Sequence, residues 1–471
     1  MKRFFSLFSA VLVLIFLASE TVSGEVKLPA IFGDNMVLQQ KSEVAIWGTA
    51  SLNSTVKVKT SWNGKNYSAK AGSDGKWKIK VVTPSAGGPY EVIVSEGNTV
   101  KLNNVLIGEV WVCSGQSNME MPMKGYINQP VLGSNETIAT SSDPEIRMFT
   151  VKKASSLQIQ TDFEGSWKNC ETENVSEFSA TAYFFGLMLN RALKVPVGLI
   201  NSSWGGTRIE PWISEDGIKK FEFVKMPDKN QQGPLSQQTP AVLFNAMINP
   251  MVGYGIKGAI WYQGESNRNE ASDYVKLLPG LIENWRSVWG VGDFSFYYVQ
   301  IAPFDYGPTG LNSAYLREAQ LKASTALSNI GMASIMDIGE KDCIHPANKK
   351  AGGDRLAWLA LTNSYGKKGF TGAGPVLKEM TVNGSMVRLT FNNAPNGITS
   401  FGKELSCFEI AGSNKRFYPA IASFSLGGIT LYNPSVSEPV AVRYAFKDFI
   451  VGDLFNTEGI PASSFRTDTW E

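Results

Sequence analysis

Histidine is almost missing from this chain. His345 is the sole histidine among 471 residues. Any step that needs an imidazole near neutral pH therefore has one possible source. Cysteine is sparse as well. Cys113, Cys170, Cys343 and Cys407 are widely spaced. They form no CxxC pair and no zinc pattern, and they read as independent thiols rather than a disulfide framework. No block of one charge is present. Forty-four Lys and Arg stand against 42 Asp and Glu, a formal net charge of +2, so nothing points to nucleic acid or an anionic membrane surface. After residue 24 no apolar run is long enough to cross a bilayer. Internal repeats and low-complexity linkers are also lacking.

What remains is a globular composition, 43% hydrophobic and 18% charged. By length it suggests about three domains. Aromatics make up 11%, and twelve of them are Trp. Most serve as core filling, while a minority suits the stacking on sugar rings seen in secreted carbohydrate-active proteins. The N-terminus, MKRFFSLFSAVLVLIFLASETVSG, joins a basic start (Lys2, Arg3) to an apolar stretch and the small-residue site Val22-Ser23-Gly24. It reads as a secretory signal peptide over 1–24, followed by a periplasmic or extracellular mature chain.

Residues 25–105 read as a small β-sandwich. Val56 and Val58 alternate with lysines, as do Trp77, Ile79 and Val81, and the turn pairs Asn63-Gly64 and Asp74-Gly75 lie between such runs. From 106 to 370 apolar strands alternate with helical stretches. Strands are expected at 107–113, 197–201, 258–262, 296–301 and 333–338, and helices at 178–193, 240–251, 274–289, 316–327 and 349–365. That rhythm predicts an α/β domain with a doubly wound, mostly parallel sheet. Residues 371–471 return to short β runs, a second sandwich.

Ligands of such sheets bind beyond the carboxyl ends of the strands. Val110-Trp111-Val112-Cys113 gives way there to Ser114-Gly115-Gln116-Ser117-Asn118, and His345 follows the last expected strand. Pro346 suits the first turn of a helix, so His345 is expected at a helix start. Asp342 lies three residues before it. A serine hydroxyl attacks only when a base takes its proton, and a carboxylate can hold that base in the right tautomer. Ser117, His345 and Asp342 supply the three parts. The segment Gly115-Gln116-Ser117-Asn118-Met119 is no GxSxG elbow, which argues against the α/β-hydrolase class. Gly205 and Gly206 follow another strand and are candidates for backbone oxyanion donors. Gln263 and Asn267 follow a further one and offer side-chain amides.

The order Ser, Gly, amide, His at successive strand ends resembles the SGNH hydrolase superfamily. The segments LPAIFGDNMVLQQ, GEVWVCSGQSNMEMPM, NSSWGGTRIEPW, WYQGESN and DIGEKDCIHPANKKAGGDRLA resemble sialate O-acetylesterases, as does the tail LFNTEGIPASSFRTDTW. The resemblance spans nearly the whole mature chain. It implies an SGNH-type doubly wound sheet flanked by β-sandwich regions. It further implies a secreted carbohydrate O-acetylesterase that needs no metal or organic cofactor. Ser117 would be nucleophile, His345 base and Asp342 orienting acid. The backbone of Ser117 and of Gly205 or Gly206 would receive the oxyanion. Between the two amides, related sugar esterases favour Gln263 over Asn267. Cys343 stands where the family's pattern suggests a second acidic residue. Trp204, Arg208 and Glu265 lie beside the site in sequence and are candidates for substrate contact, Arg208 for a sialic acid carboxylate. Acetylated sialic acid is the first expectation and acetylated xylan or another polysaccharide the second. Two other classes stay open: a glycosidase using Glu265 with Asp337, and a non-catalytic carbohydrate-binding protein.

Overall fold

The computed structural model describes residues 25–228, 233, 235–308 and 310–470. The leader-like segment 1–24 lies outside the described residues. A central mixed sheet organises the molecule. Its strands are β1 (Asn98–Gly115), β2 (Ile146–Thr150), β3 (Trp167–Asn169), β4 (Val197–Ser203), β5 (Gly258–Tyr262), β6 (Ser295–Val299) and β7 (Ile330–Ala333). The spatial order is β7-β6-β5-β1-β4-β2-β3. Neighbours run parallel except for the antiparallel edge strand β3.

Strand β1 shows in one element why the fold changes character. Exposed and covered residues interleave over its first half, whereas every residue from Val105 to Gly115 is buried. The first half pairs antiparallel with Gly87–Glu96 in the N-terminal region. The second half is covered on both faces. The 105/106 boundary expected from sequence therefore falls inside a single continuous strand. Alternate side chains of β1 feed two cores: Val110 and Val112 enter one, Trp111 and Cys113 the other. Helices α2 (Ala180–Leu193) and α5 (Lys349–Leu359) close the second through Phe185, Leu189 and Leu356. Helices α3 (Ala271–Trp289) and α4 (Asn312–Ala323) close the first through Leu277, Leu281 and Leu316.

The N-terminal strands contribute to that same first core. Lys76–Val82 alternates strictly between exposed and buried, and its inward Trp77, Ile79 and Val81 join Val56 and Val58. The turns at Asn63-Gly64 and Asp74-Gly75 are both present, with Gly64 and Gly75 at positive φ. Beyond α5 the chain builds two four-stranded antiparallel sheets. Val387, Leu389, Phe408, Ile410, Val442 and Tyr444 meet between them. All four cysteines are free thiols, and only Cys343 is not buried. Among the described residues no helix is long and apolar enough to cross a membrane.

Several element expectations are corrected. The helix expected over 240–251 is a π-turn, Phe244–Ile248, followed by a 3-10 turn, Asn249–Met251; Pro250 cannot continue an α-helix. The last parallel strand is Ile330–Ala333, earlier than 333–338. The later residues leave the sheet because Arg355 binds the carbonyl of Ser334 and both oxygens of Asp337. Helix α5 starts at Lys349, with the Asn348 side chain capping the N–H of Ala351. His345 consequently sits in the loop before the helix, since Asn is a far better cap than a residue ahead of proline. The short strands β2 and β3 had no sequence expectation.

Gly115 terminates β1 with φ 141°, and a Cβ there would lie 2.1 Å from the carbonyl oxygen of Tyr262 in β5. Backbone cannot yield as a side chain can, and the dihedral itself is strained for other residues. Gly115→Ala is expected to destabilise the protein by about 3 kcal/mol or more, read by denaturant unfolding. A change under about 0.5 kcal/mol would show that this close approach is not structural.

Candidate active site

An open cleft of about 510 Å³ lies at the carboxyl ends of the central strands, and Ser117 and His345 line it. Ser117 is the first residue of α1 (Ser117–Glu120), directly after β1 and Gln116. The carbonyl oxygen of the Gln116 side chain receives the N–H groups of Gly264 and Ser266, at 3.4 Å each. It thereby ties the end of β1 to the loop after β5. His345 Nε2 stands 2.7 Å from Ser117 Oγ. The nucleophile and base expected from sequence are brought together, although 228 positions separate them.

The third expected member is not there. Asp342 is exposed and makes no hydrogen bond or ion pair among the described residues. The imidazole Nδ1 instead lies 2.6 Å from Gln129 Oε1. Cys343, which stands where the family's pattern suggests a second acid, turns its thiol onto the His345 carbonyl at 3.2 Å. The loop takes this shape because its backbone is committed elsewhere. The carbonyl of Ile344 accepts from Asn118 Nδ2 at 3.1 Å, and the N–H of Ala347 donates to Glu340 at 2.7 Å. The carbonyl of Ala347 accepts from the N–H of Leu132 at 2.9 Å.

The amide candidates are corrected too. Gln263 Nε2 donates to the carbonyl of Thr207 and to Asn267 Oδ1, and its own oxygen accepts from Tyr274. Asn267 donates to Glu210 and accepts from the N–H of Ile209. Both are fully buried, and neither lines the cleft. They lock the loops after β4 and β5 together. Gly205 and Gly206 do line the cleft, with Gly206 at φ 73°. The Gly205 N–H donates to Glu120 Oε2 at 2.5 Å. The N–H groups of Ser117 and Gly206 have no hydrogen-bond partner among the described residues.

Of the substrate candidates, Trp204 is half-buried in the cleft wall, 5.9 Å beneath the ammonium of Lys153. Arg208 is engaged by Glu210 and by Glu270, a structural network rather than a free anion site. Glu265 reaches the cleft, but its Oε1 accepts from Asn118 Nδ2 at 2.7 Å. Asp337 is held by Arg355, so Glu265 and Asp337 form no pair in the cleft and the glycosidase arrangement has no support. Trp212 and Trp261 are fully buried core residues.

Sequence reasoning missed five residues here: Gln129, Asn118, Lys349, Glu120 and Arg268. Asn118 sits beside Ser117 in the GQSNM stretch, where the sequence offers the clearest signal of the five. It joins Glu265 to Lys349, whose buried ammonium donates to Asn118 Oδ1. Burial raises the Glu265 carboxyl above its ordinary range and pushes the Lys349 ammonium down to about 7. Burial, and then the nearby Lys349 charge, push the His345 imidazole down to about 4.

Residues 107–359 match the family model described as carbohydrate esterase, sialic acid-specific acetylesterase. A human sialate O-acetylesterase is 31% identical, with 93% of this chain and 90% of the relative aligned. Its mouse counterpart is 29% identical over 93% of each chain. The crystal structure of a carbohydrate acetylesterase from Xanthomonas citri superposes with a TM-score of 0.86 at 34% identity, covering 94% of this chain and all of that one.

A lowered imidazole pKa keeps the base neutral in mild acid. An ordinary histidine, near 6.5, would already be mostly protonated at pH 5.5. With His345 near 4, kcat/KM for a neutral acetate ester is expected to stay nearly level from pH 7 down to about 5 and to fall as pH drops through about 4. A pH–rate profile that loses about tenfold between pH 7 and 5.5 would contradict this.

Proposed function

The chain belongs to the sialic acid-specific acetylesterase family of carbohydrate esterases and is a carbohydrate O-acetylesterase. From that premise we propose that Ser117 and His345 carry the reaction and that the acetylated sugar is a sialic acid. The observation that carries the catalytic assignment is the 2.7 Å contact between Ser117 Oγ and His345 Nε2 in the cleft.

In this reading neutral His345 takes the hydroxyl proton through Nε2 as Ser117 Oγ attacks the acetyl carbonyl. The oxyanion forms against the N–H groups of Ser117 and Gly206. That of Gly205 becomes a donor only if the Glu120 carboxylate moves off it. Each such donor contributes on the order of 3 kcal/mol to the transition state. The protonated imidazole then passes its proton to the sugar oxygen as the ester bond breaks, leaving an acetyl ester on Ser117. Water enters the cleft, His345 takes its proton, and acetate and free Ser117 are restored.

Two features support an acidic sugar. The named relatives are sialate O-acetylesterases. In addition, Arg268 lines the cleft, with its guanidinium 4.6 Å over the Tyr306 ring. It has no carboxylate within ion-pair distance among the described residues, and its buried Nε lacks a hydrogen-bond partner. Such a guanidinium suits a substrate carboxylate; Arg208, already saturated by Glu210 and Glu270, does not. Export is part of the proposal and rests on the leader-like segment 1–24.

Ser117→Ala and His345→Ala are each expected to lower kcat on p-nitrophenyl acetate by about a thousandfold or more. Full activity in either variant would remove the assignment. Acetate release from O-acetylated sialic acid is expected to exceed that from acetylated xylan at equal concentration and pH. Arg268→Ala should raise KM for the sialate about tenfold, the effect of losing a charge-assisted hydrogen bond, and not for xylan. Preference for xylan, or an Arg268→Ala variant with unchanged sialate KM, would rule out the acidic-sugar reading.

A further inference from the structure

We propose that Gln129 is the positioning residue of the catalytic histidine, occupying the place that an aspartate takes in a Ser-His-Asp triad. The inference rests on the esterase reading above and concerns how its base is held.

The geometry is direct. Gln129 Oε1 lies 2.6 Å from His345 Nδ1, while Nε2 on the far side of the ring faces Ser117 Oγ at 2.7 Å. A carbonyl oxygen can only accept. Nδ1 must therefore carry the hydrogen, which leaves the Nε2 lone pair directed at the serine hydroxyl. That is the tautomer a general base needs. Asp342, the carboxylate next in line by sequence, is exposed and has no bond to the ring.

Gln129 is held for this task by a compact loop, residues 122–133. Tyr126 and Gln129 exchange backbone hydrogen bonds, each at 3.0 Å. Asn128 between them adopts φ 59°, and Gly125 adopts φ 84° with the Gln129 carbonyl 2.5 Å from where a Cβ would stand. The same loop touches both catalytic residues and the base's own segment. The Tyr126 ring packs edge-on against the His345 ring at 5.5 Å, and the Tyr126 hydroxyl donates to the Ser117 carbonyl at 3.3 Å. The Leu132 N–H binds the carbonyl of Ala347.

A neutral amide does one part of a carboxylate's work. It fixes the tautomer and the ring plane, but it adds no negative charge to stabilise an imidazolium. The groups that face His345 are Lys349 from α5, Tyr126 and Gln129 from the loop, and Cys343 from its own segment. Glu120, Glu265, Lys153 and Arg268 face it across the cleft. None of the carboxylates touches the ring. Burial, and then the Lys349 charge, push the imidazole down to about 4, nothing at Nδ1 offsets them with a negative charge, and a carboxylate placed at 129 should raise it.

The test compares three variants by pH–rate profiles on p-nitrophenyl acetate, with thermal melting as the check on folding. Gln129→Met keeps the length and removes the acceptor; its kcat should fall about ten- to a hundredfold with KM little changed, the scale of a misoriented base. Gln129→Glu restores an acceptor and adds charge. It should keep most of the activity and move the acid limb upward by about one pH unit or more. Asp342→Asn should match the unsubstituted protein in kcat and in limb position. A Gln129→Met enzyme of full activity, a Gln129→Glu limb that does not move, or an Asp342→Asn enzyme that loses orders of magnitude would each overturn the assignment. Ser117→Ala separates the two readings. If it is inactive while Gln129→Met is normal, only the role of Gln129 fails; if it is active, both fail.

Discussion

One contact, 2.7 Å between the hydroxyl of Ser117 and Nε2 of the chain's single imidazole, sets the terms for the rest of the molecule. Its two ends come from opposite ends of the α/β region, and neither is on a regular element long enough to fix it alone. Ser117 opens a four-residue helix behind a fully buried strand end. His345 sits in a loop. The structure answers with anchors on both sides. Gly115 lets β1 approach β5 to within backbone contact, Gln116 bridges to the next loop, and Asn118, Glu340 and Leu132 hold the segment around His345. Reach across a parallel sheet is cheap in sequence and costly in conformational freedom, so the number of anchors is a measure of what the contact requires.

The electrostatics follow from the same enclosure. Glu265 and Lys349 lie buried and are bridged by Asn118. Burial draws both toward neutrality. His345, without a carboxylate at either nitrogen, is drawn the same way. An enzyme that removes acetyl groups releases acid, and a base that stays unprotonated under mildly acidic conditions is compatible with that chemistry. The guanidinium of Arg268 stands at the cleft with no carboxylate within ion-pair distance among the described residues, where the charge can meet an incoming anion rather than a structural partner.

The fold was largely legible. Period-two alternation at 76–82 marked the N-terminal sheet, and continuous apolar runs marked β1, β4, β5 and β6. The expected strand at 258–262 coincides with β5. What failed did so for identifiable reasons. The stretch 240–251 is apolar enough for a helix, but Pro250 and a π-turn break it. Residues 334–338 look like a strand, yet Arg355 draws them away through Ser334 and Asp337. In the site, the meeting of Ser117 with His345 was legible because a hydroxyl and a lone imidazole at strand ends have few rivals. Asp342 has the expected spacing, but spacing in a loop does not determine where a side chain points. Gln263 and Asn267 carry amides that the fold uses internally. Gln129 carried no signal at all: its position relative to His345 depends on a loop packed across 216 positions of sequence.

The claim on which all of this turns is that the Ser117 hydroxyl is activated by His345. A fluorophosphonate that modifies only activated serines, followed by peptide mass spectrometry, tests it most directly. The account predicts a single modified residue, Ser117, with loss of esterase activity in step with labelling, and no labelling when His345 is replaced by alanine. Labelling of a different serine, or complete turnover by protein whose Ser117 is fully modified, would contradict it.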